Sequence, residues 1–77
     1  MKINSYDDLV IFAINNDLLV DILFNPQTNL FVVNIDGGLW EREATHQTFH
    51  GAAELAVNSA IEKLQSSGTQ SRVPLND

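Results

Sequence analysis

The chain has 77 residues, which suffice for one domain and leave no room for a second. It carries ten acidic and four basic residues, a formal net charge of −6, and no cysteine. The absence of cysteine excludes disulfides, thiol catalysis and thiolate zinc sites. A domain of this size buries only about 60% of its unfolded surface, so it has a thin core and a reason to oligomerise or to fold against a partner.

The charge distribution argues against direct nucleic-acid binding, which depends on lysine and arginine neutralising phosphates. The basic residues are scattered along the chain: Lys2, Arg42, Lys63 and Arg72. An acidic domain is better suited to meet a basic protein surface, and its field would steer that encounter. The alternative is that the acidic charge serves only solubility.

Nothing in the sequence indicates a membrane protein. The N-terminal residues lack the charged and apolar regions of a signal peptide, and the longest apolar run, Leu9 to Ile14, is far shorter than the roughly 20 residues of a membrane span. We therefore expect a cytoplasmic protein.

The first predicted element is a helix from Tyr6 to Asn15, with Ser5 as N-cap and Asp7 and Asp8 in a first turn that favours negative charge. Asn15-Asn16-Asp17 supplies the stop. The β-branched content of the segment leaves a strand open as the alternative.

The predicted helix is apolar almost all round. Tyr6, Leu9, Phe12 and Ala13 share one face of the helical wheel. Ile11 and Ile14 point away from that face, so either the helix is buried on two sides or these isoleucines belong to an interface.

Three strands are predicted to follow, at Leu18 to Phe24, Leu30 to Ile35 and Leu39 to Thr45. Turn residues 25–29 separate the first two strands. Asp36-Gly37-Gly38 supplies the positive-φ residues of a tight hairpin between the second and third. The pair of glycines is not a phosphate-binding loop, because it joins two strands and does not open a helix.

Thr48 is predicted to cap a second helix, from Phe49 to about Gln65, that ends at Ser66-Ser67-Gly68. Its apolar stripe is narrow and rich in alanine: Phe49, Ala53, Ala56, Val57, Ala60 and Leu64. We expect residues 1–65 to form the domain and residues 66–77 to form a flexible tail.

The element order α-β-β-β-α predicts an α+β domain, a three-stranded antiparallel meander with helices packed on one face. Alternation within the strands places Asp21, Glu41 and Glu43, together with Asn34, on the opposite face. That face would be solvated and acidic.

No catalytic or metal-binding set can be assembled. His46 and His50 are four positions apart, but a strand end and a helix start fall between them, and no third histidine or cysteine completes a site. Glu41 and Glu43 would point the same way about 7 Å apart, without a cleft that shifts one carboxyl pKa. We expect no enzymatic activity, no metal and no cofactor.

The element order, with Ala52, Ala53, Ala56, Ala60 and Leu64 spaced along the last helix, resembles the double-stranded-RNA-binding domain. That family places a basic cluster at the start of its last helix. The matching residues here are Phe49-His50-Gly51-Ala52-Ala53-Glu54, without a lysine, so the resemblance implies topology and not RNA binding.

Size, acidity, the lack of cysteine and the α+β build of residues 1–65 also resemble the small inhibitors encoded by phages and mobile elements, such as anti-CRISPR and anti-restriction proteins. The resemblance implies a viral protein in the host cytoplasm that binds a nuclease or CRISPR effector.

The leading hypothesis is a non-enzymatic inhibitor or adaptor that docks its acidic sheet face, or the patch on its first helix, onto a basic protein surface. The alternative is a homodimeric accessory protein that pairs through that helix or a sheet edge. Trp40, the only tryptophan, serves either as an interface anchor or as core. The candidate partner-binding residues are Asp7, Asp8, Ile11, Ile14, Asp21, Asp36, Trp40, Glu41 and Glu43.

Overall fold

The computed structural model describes the backbone of residues 2–75 and the side chains of residues 2–66. The elements in chain order are α1 (Tyr6–Asn16), β1 (Leu19–Asn25), β2 (Leu30–Asp36), β3 (Glu41–His46) and α2 (Phe49–Leu75). The strands form one antiparallel sheet in the order β1-β2-β3, and both helices pack against it. The predicted α-β-β-β-α fold is confirmed, and the first element is a helix.

The start of α1 is fixed by reciprocal capping. The Ser5 hydroxyl accepts a hydrogen bond from the backbone N–H of Asp8 at 3.3 Å, and the Asp8 carboxylate accepts one from the N–H of Asn4 at 2.9 Å. Two backbone donors that the helix itself cannot satisfy are thereby satisfied. The predicted N-cap is confirmed.

Helix α1 ends in a Schellman motif at the predicted stop. Asp17 has a left-handed backbone with φ 57°. The N–H of Leu18 donates to the carbonyl oxygen of Ala13 at 2.9 Å, and the N–H of Asp17 donates to that of Ile14 at 3.3 Å. This reversal returns the chain directly into β1.

The register of the sheet separates two faces. On the inner face, Ile35 of β2 pairs with Val20 and Arg42, and Val33 pairs with Ile22 and Ala44. Val33 and Ile35 are fully buried there under the helices. The alternation predicted for β1 is confirmed from Leu19 to Leu23, since Val20 and Ile22 are half-buried between exposed neighbours, but Phe24, predicted on the same face, is 48% exposed.

Helix α2 covers the inner face of β2 and β3. The Thr48 hydroxyl accepts a hydrogen bond from the N–H of Gly51 at 3.0 Å, which confirms the predicted cap. The alanine stripe is fully buried: Ala52, Ala53, Ala56 and Ala60, with Val57 beside them. Small side chains let the helix axis approach the sheet closely, as expected from their spacing.

The end of α2 differs from the sequence prediction. The helix continues through Ser66-Ser67-Gly68 to Leu75, and Pro74 is its penultimate residue. A glycine inside a helix costs about 1 kcal/mol relative to alanine, which weakens a helix without stopping it. The sequence also predicts a flexible tail over residues 66–77. The side chains after Ser66 and the residues after Leu75 lie outside the described part of the chain, so this stays a prediction.

The core differs from the sequence analysis at two residues, one that was not predicted and one that was predicted wrongly. Ile3, which precedes α1, is fully buried and packs with Leu9 and Phe12 of that helix. Tyr6, predicted on the buried face, is 60% exposed. Because Tyr6 is the first residue of α1, its side chain lies at the end of the helix where the core layer no longer covers it.

Candidate protein-binding surfaces

Four carboxylates form an acidic patch on the outer face of the sheet, defined here as Asp21, Asp36, Glu41 and Glu43. Asp36 of β2 pairs directly with Glu41 of β3, and Asn34 of β2 pairs with Asp21 on one side and Glu43 on the other. Directly opposite residues in an antiparallel pair have Cβ atoms about 4.5–5.5 Å apart. The register therefore brings carboxylates from all three strands onto one surface.

No lysine or arginine occupies an outward-facing position on the three strands. Arg42 lies between two members of the patch in sequence, but its cross-strand partner is the buried Ile35, so it belongs to the inner face. Its guanidinium donates to the backbone oxygen of Glu41 at 3.2 Å. The patch thus has a negative potential that no basic side chain within the face offsets, and a basic surface would complement it.

Asp36 has a structural task as well as its charge. Its Oδ1 atom accepts a hydrogen bond from the N–H of Gly38 at 2.7 Å, which holds the loop between β2 and β3. Of the two glycines predicted to supply positive φ, only Gly38 does, at 95°. Gly37 is required for a different reason: a Cβ atom there would overlap the indole of Trp40.

The sequence predicted that the third strand begins at Leu39 and includes Trp40, but β3 begins at Glu41, so both residues lie in this loop. The N–H of Gly37 donates to the backbone oxygen of Trp40 at 2.9 Å, which closes the loop. The Trp40 side chain is half-buried and packs against the core from the inner side. The geometry therefore sets Trp40 apart from the acidic patch.

The acidic patch adjoins an apolar strip on the outer face. In the register row next to Asp21 and Glu43, Leu23 pairs with Val32, which pairs with Thr45. Leu23 is 64% exposed and Val32 is half-buried. A partner that meets the carboxylates would also meet this apolar row, the usual combination of a hydrophobic core with a charged rim.

The remaining predicted residues belong to α1, on the other side of the sheet. Asp7 and Asp8 lie in its first turn, and the Asp8 carboxylate is engaged in capping. Ile11 and Ile14 are 55% and 72% exposed, so they are not covered by a second packing partner within the domain. The predicted residues of α1 and of the acidic patch therefore lie on different sides of the sheet, and they meet only at the groove between α1 and β1, which both Ile14 and Asp21 line.

An open groove of about 460 Å³ lies between α1 and β1. Tyr6, Val10 and Ile14 line its helical wall, and Val20 and Ile22 line the strand wall. Leu19 and Leu23, both exposed on the same strand, were absent from the predicted site. The sequence shows that they alternate with the residues that become half-buried. It does not show that their strand lies at the edge of the sheet, because that position depends on the strand order.

The two histidines make local contacts. His46 Nδ1 accepts a hydrogen bond from the N–H of Thr48 at 3.1 Å, and its ring fills the space beside Gly51. The His50 ring lies 6.1 Å from the ring of Phe49. Within residues 2–66, no group of three or more histidine, aspartate or glutamate side chains is arranged to hold a metal ion.

No family model matches the chain, and neither the curated proteins nor the solved structures yield a match. None of the described helices has the length and apolar content that crossing a bilayer requires. Two surfaces of the domain remain as candidate binding sites, the acidic patch with its apolar strip and the groove between α1 and β1.

Proposed function

We propose that this domain acts without catalysis, as an inhibitor or adaptor that docks its acidic patch onto a basic surface of a partner protein. The observation that carries the proposal is the register row Asp21, Asn34, Glu43, followed by the pair Asp36 and Glu41 in the neighbouring row. No outward-facing basic residue on the strands interrupts these two rows.

The sheet supports this use because it holds the charges in a fixed array. Neighbouring strands are about 4.8 Å apart, and alternate residues along one strand are about 7 Å apart. Carboxylates carried at these spacings suit several lysine or arginine side chains at once, with little backbone entropy lost on binding. A flexible acidic segment would lose more.

The class of partner follows from the chemistry of the complement. Proteins that grip nucleic acid present clustered lysine and arginine to phosphates, and an acidic domain seated on such a cluster excludes the nucleic acid. Within that class, the resemblance to the inhibitors encoded by phages and mobile elements implies a host nuclease or CRISPR effector, which is the partner we propose. Leu23 and Val32 would supply apolar contact beside the charges.

A matched charge reversal tests the proposal. Glu43→Lys changes the patch, and Glu62→Lys makes the same two-unit change in net charge at an exposed position of α2. Partners captured from host lysate by the wild-type domain would be identified by mass spectrometry. The affinity of each purified partner would then be measured for all three proteins at low and high salt.

We expect Glu43→Lys to weaken binding at least roughly tenfold, which is about 1.4 kcal/mol, and Glu62→Lys to change it far less. Added salt should weaken wild-type binding, because the attraction is electrostatic. Equal effects of the two reversals would mean that only net charge matters. Binding indifferent to both would refute docking through the acidic patch.

A further inference from the structure

The exposed apolar surface of the domain is concentrated on α1 and β1. Eight large apolar side chains are exposed among residues 2–66, and two of them, Leu39 and Leu55, lie elsewhere. The other six are Tyr6, Ile11, Ile14, Leu19, Leu23 and Phe24. Scattered exposed apolar residues need no explanation. Here Leu19 and Leu23 flank β1 on the outer face and the other four flank it on the helix side, which indicates a contact surface centred on that strand.

β1 is also an edge strand. Its inner neighbour is β2, and no described strand pairs with its other side. An exposed edge with apolar side chains is a template for pairing with another strand, and proteins usually protect such edges with charges, proline or a bulge. In Leu19–Asn25 the only charged residue is Asp21.

We propose that β1 pairs antiparallel with β1 of a second copy, so that two domains share one continuous six-stranded sheet. The proposal rests on β1 and α1. Asp21 is the one residue of the acidic patch that β1 contains, so the proposal does not depend on Asp36, Glu41 or Glu43. A two-fold axis perpendicular to the sheet leaves the inner faces of both copies on the same side of the shared sheet. Both sets of helices would therefore lie on that side.

The strand is self-complementary in one register. Full overlap of Leu19–Asn25 with its copy places the central residue, Ile22, on the axis. Val20 then faces Phe24 of the second copy, a β-branched residue beside an aromatic ring, which is a favourable cross-strand pair. Asp21 faces Leu23 of the second copy, so the two carboxylates do not meet. Centring the axis on Asp21 would place like charges opposite each other.

The area available matches a specific dimer. Each of the six apolar side chains is between 48% and 72% exposed, which leaves on the order of 100 Å² apiece to bury. Complete burial of all six in both copies would amount to roughly 1,200 Å² in total, the lower limit of stable interfaces, before the backbone contacts of the strands are counted. The dyad would also bring the two α1 helices side by side over the edge, where Tyr6 and Ile14 flank the groove.

A second copy is the occupant that the chain itself supports. A thin core without disulfides gains stability from association. Because β1 is complementary to itself in this register, a second copy can pair with it and no other protein is needed. The copies carry −6 each and therefore repel each other, and each brings one charged residue, Asp21, to the shared edge. Salt should accordingly strengthen this dimer, the opposite of its effect on the acidic patch.

Site-specific disulfide formation tests the register. Since the chain has no cysteine, Ile22→Cys introduces a single thiol, and residues opposite each other across an antiparallel pair lie within disulfide range. Under mild oxidation we expect a covalent dimer from Ile22→Cys and none from the control, Leu55→Cys. Cross-linking that favours Leu55→Cys would overturn the proposed interface.

Charge changes at Leu23 provide a test that leaves the core intact. Leu23→Asp places a carboxylate opposite Asp21 of the second copy and should weaken the dimer at least tenfold. Leu23→Lys places an ammonium there and should preserve or tighten it. Leu55→Asp is the matched control. Sedimentation over a dilution series measures the association constant of the dimer, and circular dichroism verifies that each variant is folded.

A wild-type protein that stays monomeric up to about millimolar concentration would overturn the proposal, as would a dimer indifferent to Leu23→Asp. Glu43→Lys should leave the dimer unchanged. Loss of partner binding with an intact dimer, or the reverse, would therefore separate this inference from the proposed function.

Discussion

The backbone N–H of Ile3 donates a hydrogen bond of 3.1 Å to the Oε2 atom of Glu54, a residue 51 positions away in α2. The Ile3 side chain is fully buried in the core at the same point. The segment that precedes α1 is thereby attached to the last helix, and the two ends of the domain stabilise each other.

Ile3→Ala should lower the free energy of unfolding by about 3 kcal/mol, because it removes a buried side chain and leaves a cavity. Glu54→Ala should cost about 1.5–3 kcal/mol, the value of a hydrogen bond to a charged acceptor. Urea unfolding followed by circular dichroism measures both. Lys2→Ala, at an exposed neighbouring position, is the control and should stay within about 0.5 kcal/mol of wild type.

The two glycines of the β2–β3 loop should respond differently to alanine. Gly37→Ala drives a Cβ atom into the Trp40 indole, and Gly38→Ala imposes a side chain on a backbone with φ 95° where there is open space. Both changes should cost about 1–3 kcal/mol. Because Trp40 is the only tryptophan, its fluorescence distinguishes them: we expect a shifted emission maximum for Gly37→Ala and an unchanged one for Gly38→Ala.

Local signals were sufficient to predict most elements. Ser5 and Thr48 cap their helices because each is followed by backbone donors that a hydroxyl can satisfy. β1 could be predicted from its alternation. Ile3 could not, since one apolar residue in a polar segment has no period, and its burial depends on where α2 passes.

Trp40 and the end of α2 show a second limit. Alternation assigned Trp40 to β3, but the hydrogen bond between Gly37 and Trp40 closes the loop one residue before the strand begins. Serines and glycine predicted the end of α2, yet their low helix propensity is a weak signal that the context of a helix can override.

Asp17→Gly should stabilise the domain by about 0.5–1 kcal/mol. Asp17 has a left-handed backbone at the C′ position of α1, which glycine adopts without the steric penalty of a Cβ atom. The change also removes a negative charge from the negative end of the helix dipole. Asp17→Ala keeps the Cβ atom and should fail to stabilise. Thermal unfolding of both variants measures the difference, and a lower melting temperature for Asp17→Gly would contradict the Schellman geometry.

The acidic patch was predictable in part. Asp21, Glu41 and Glu43 follow from alternation within strands, which needs no knowledge of the fold. Which carboxylates become neighbours depends on the register, which pairs Asp36 with Glu41 and sets Asn34 between the other two. The groove was not predictable in the same way, because it exists only where α1 lies beside β1 at the edge.

Asn34→Lys tests whether the patch is maintained at the expense of stability. Asn34 pairs with Asp21 and Glu43 on the outer face, so an ammonium there gains two cross-strand attractions, each worth about 0.2–1 kcal/mol. We expect a more stable domain, with a gain that shrinks in high salt. Asn34→Gln is the control and should gain nothing.

The same substitution should weaken the proposed partner binding, because it places a positive charge at the centre of the patch. Unfolding in urea at two salt concentrations measures stability, and titration with the captured partner measures affinity. A domain stabilised by Asn34→Lys that binds its partner as tightly as wild type would show that the four carboxylates are not the contact surface. A gain in stability together with a loss of partner affinity would indicate that asparagine occupies this position, in place of the more stabilising lysine, because the face is used for binding.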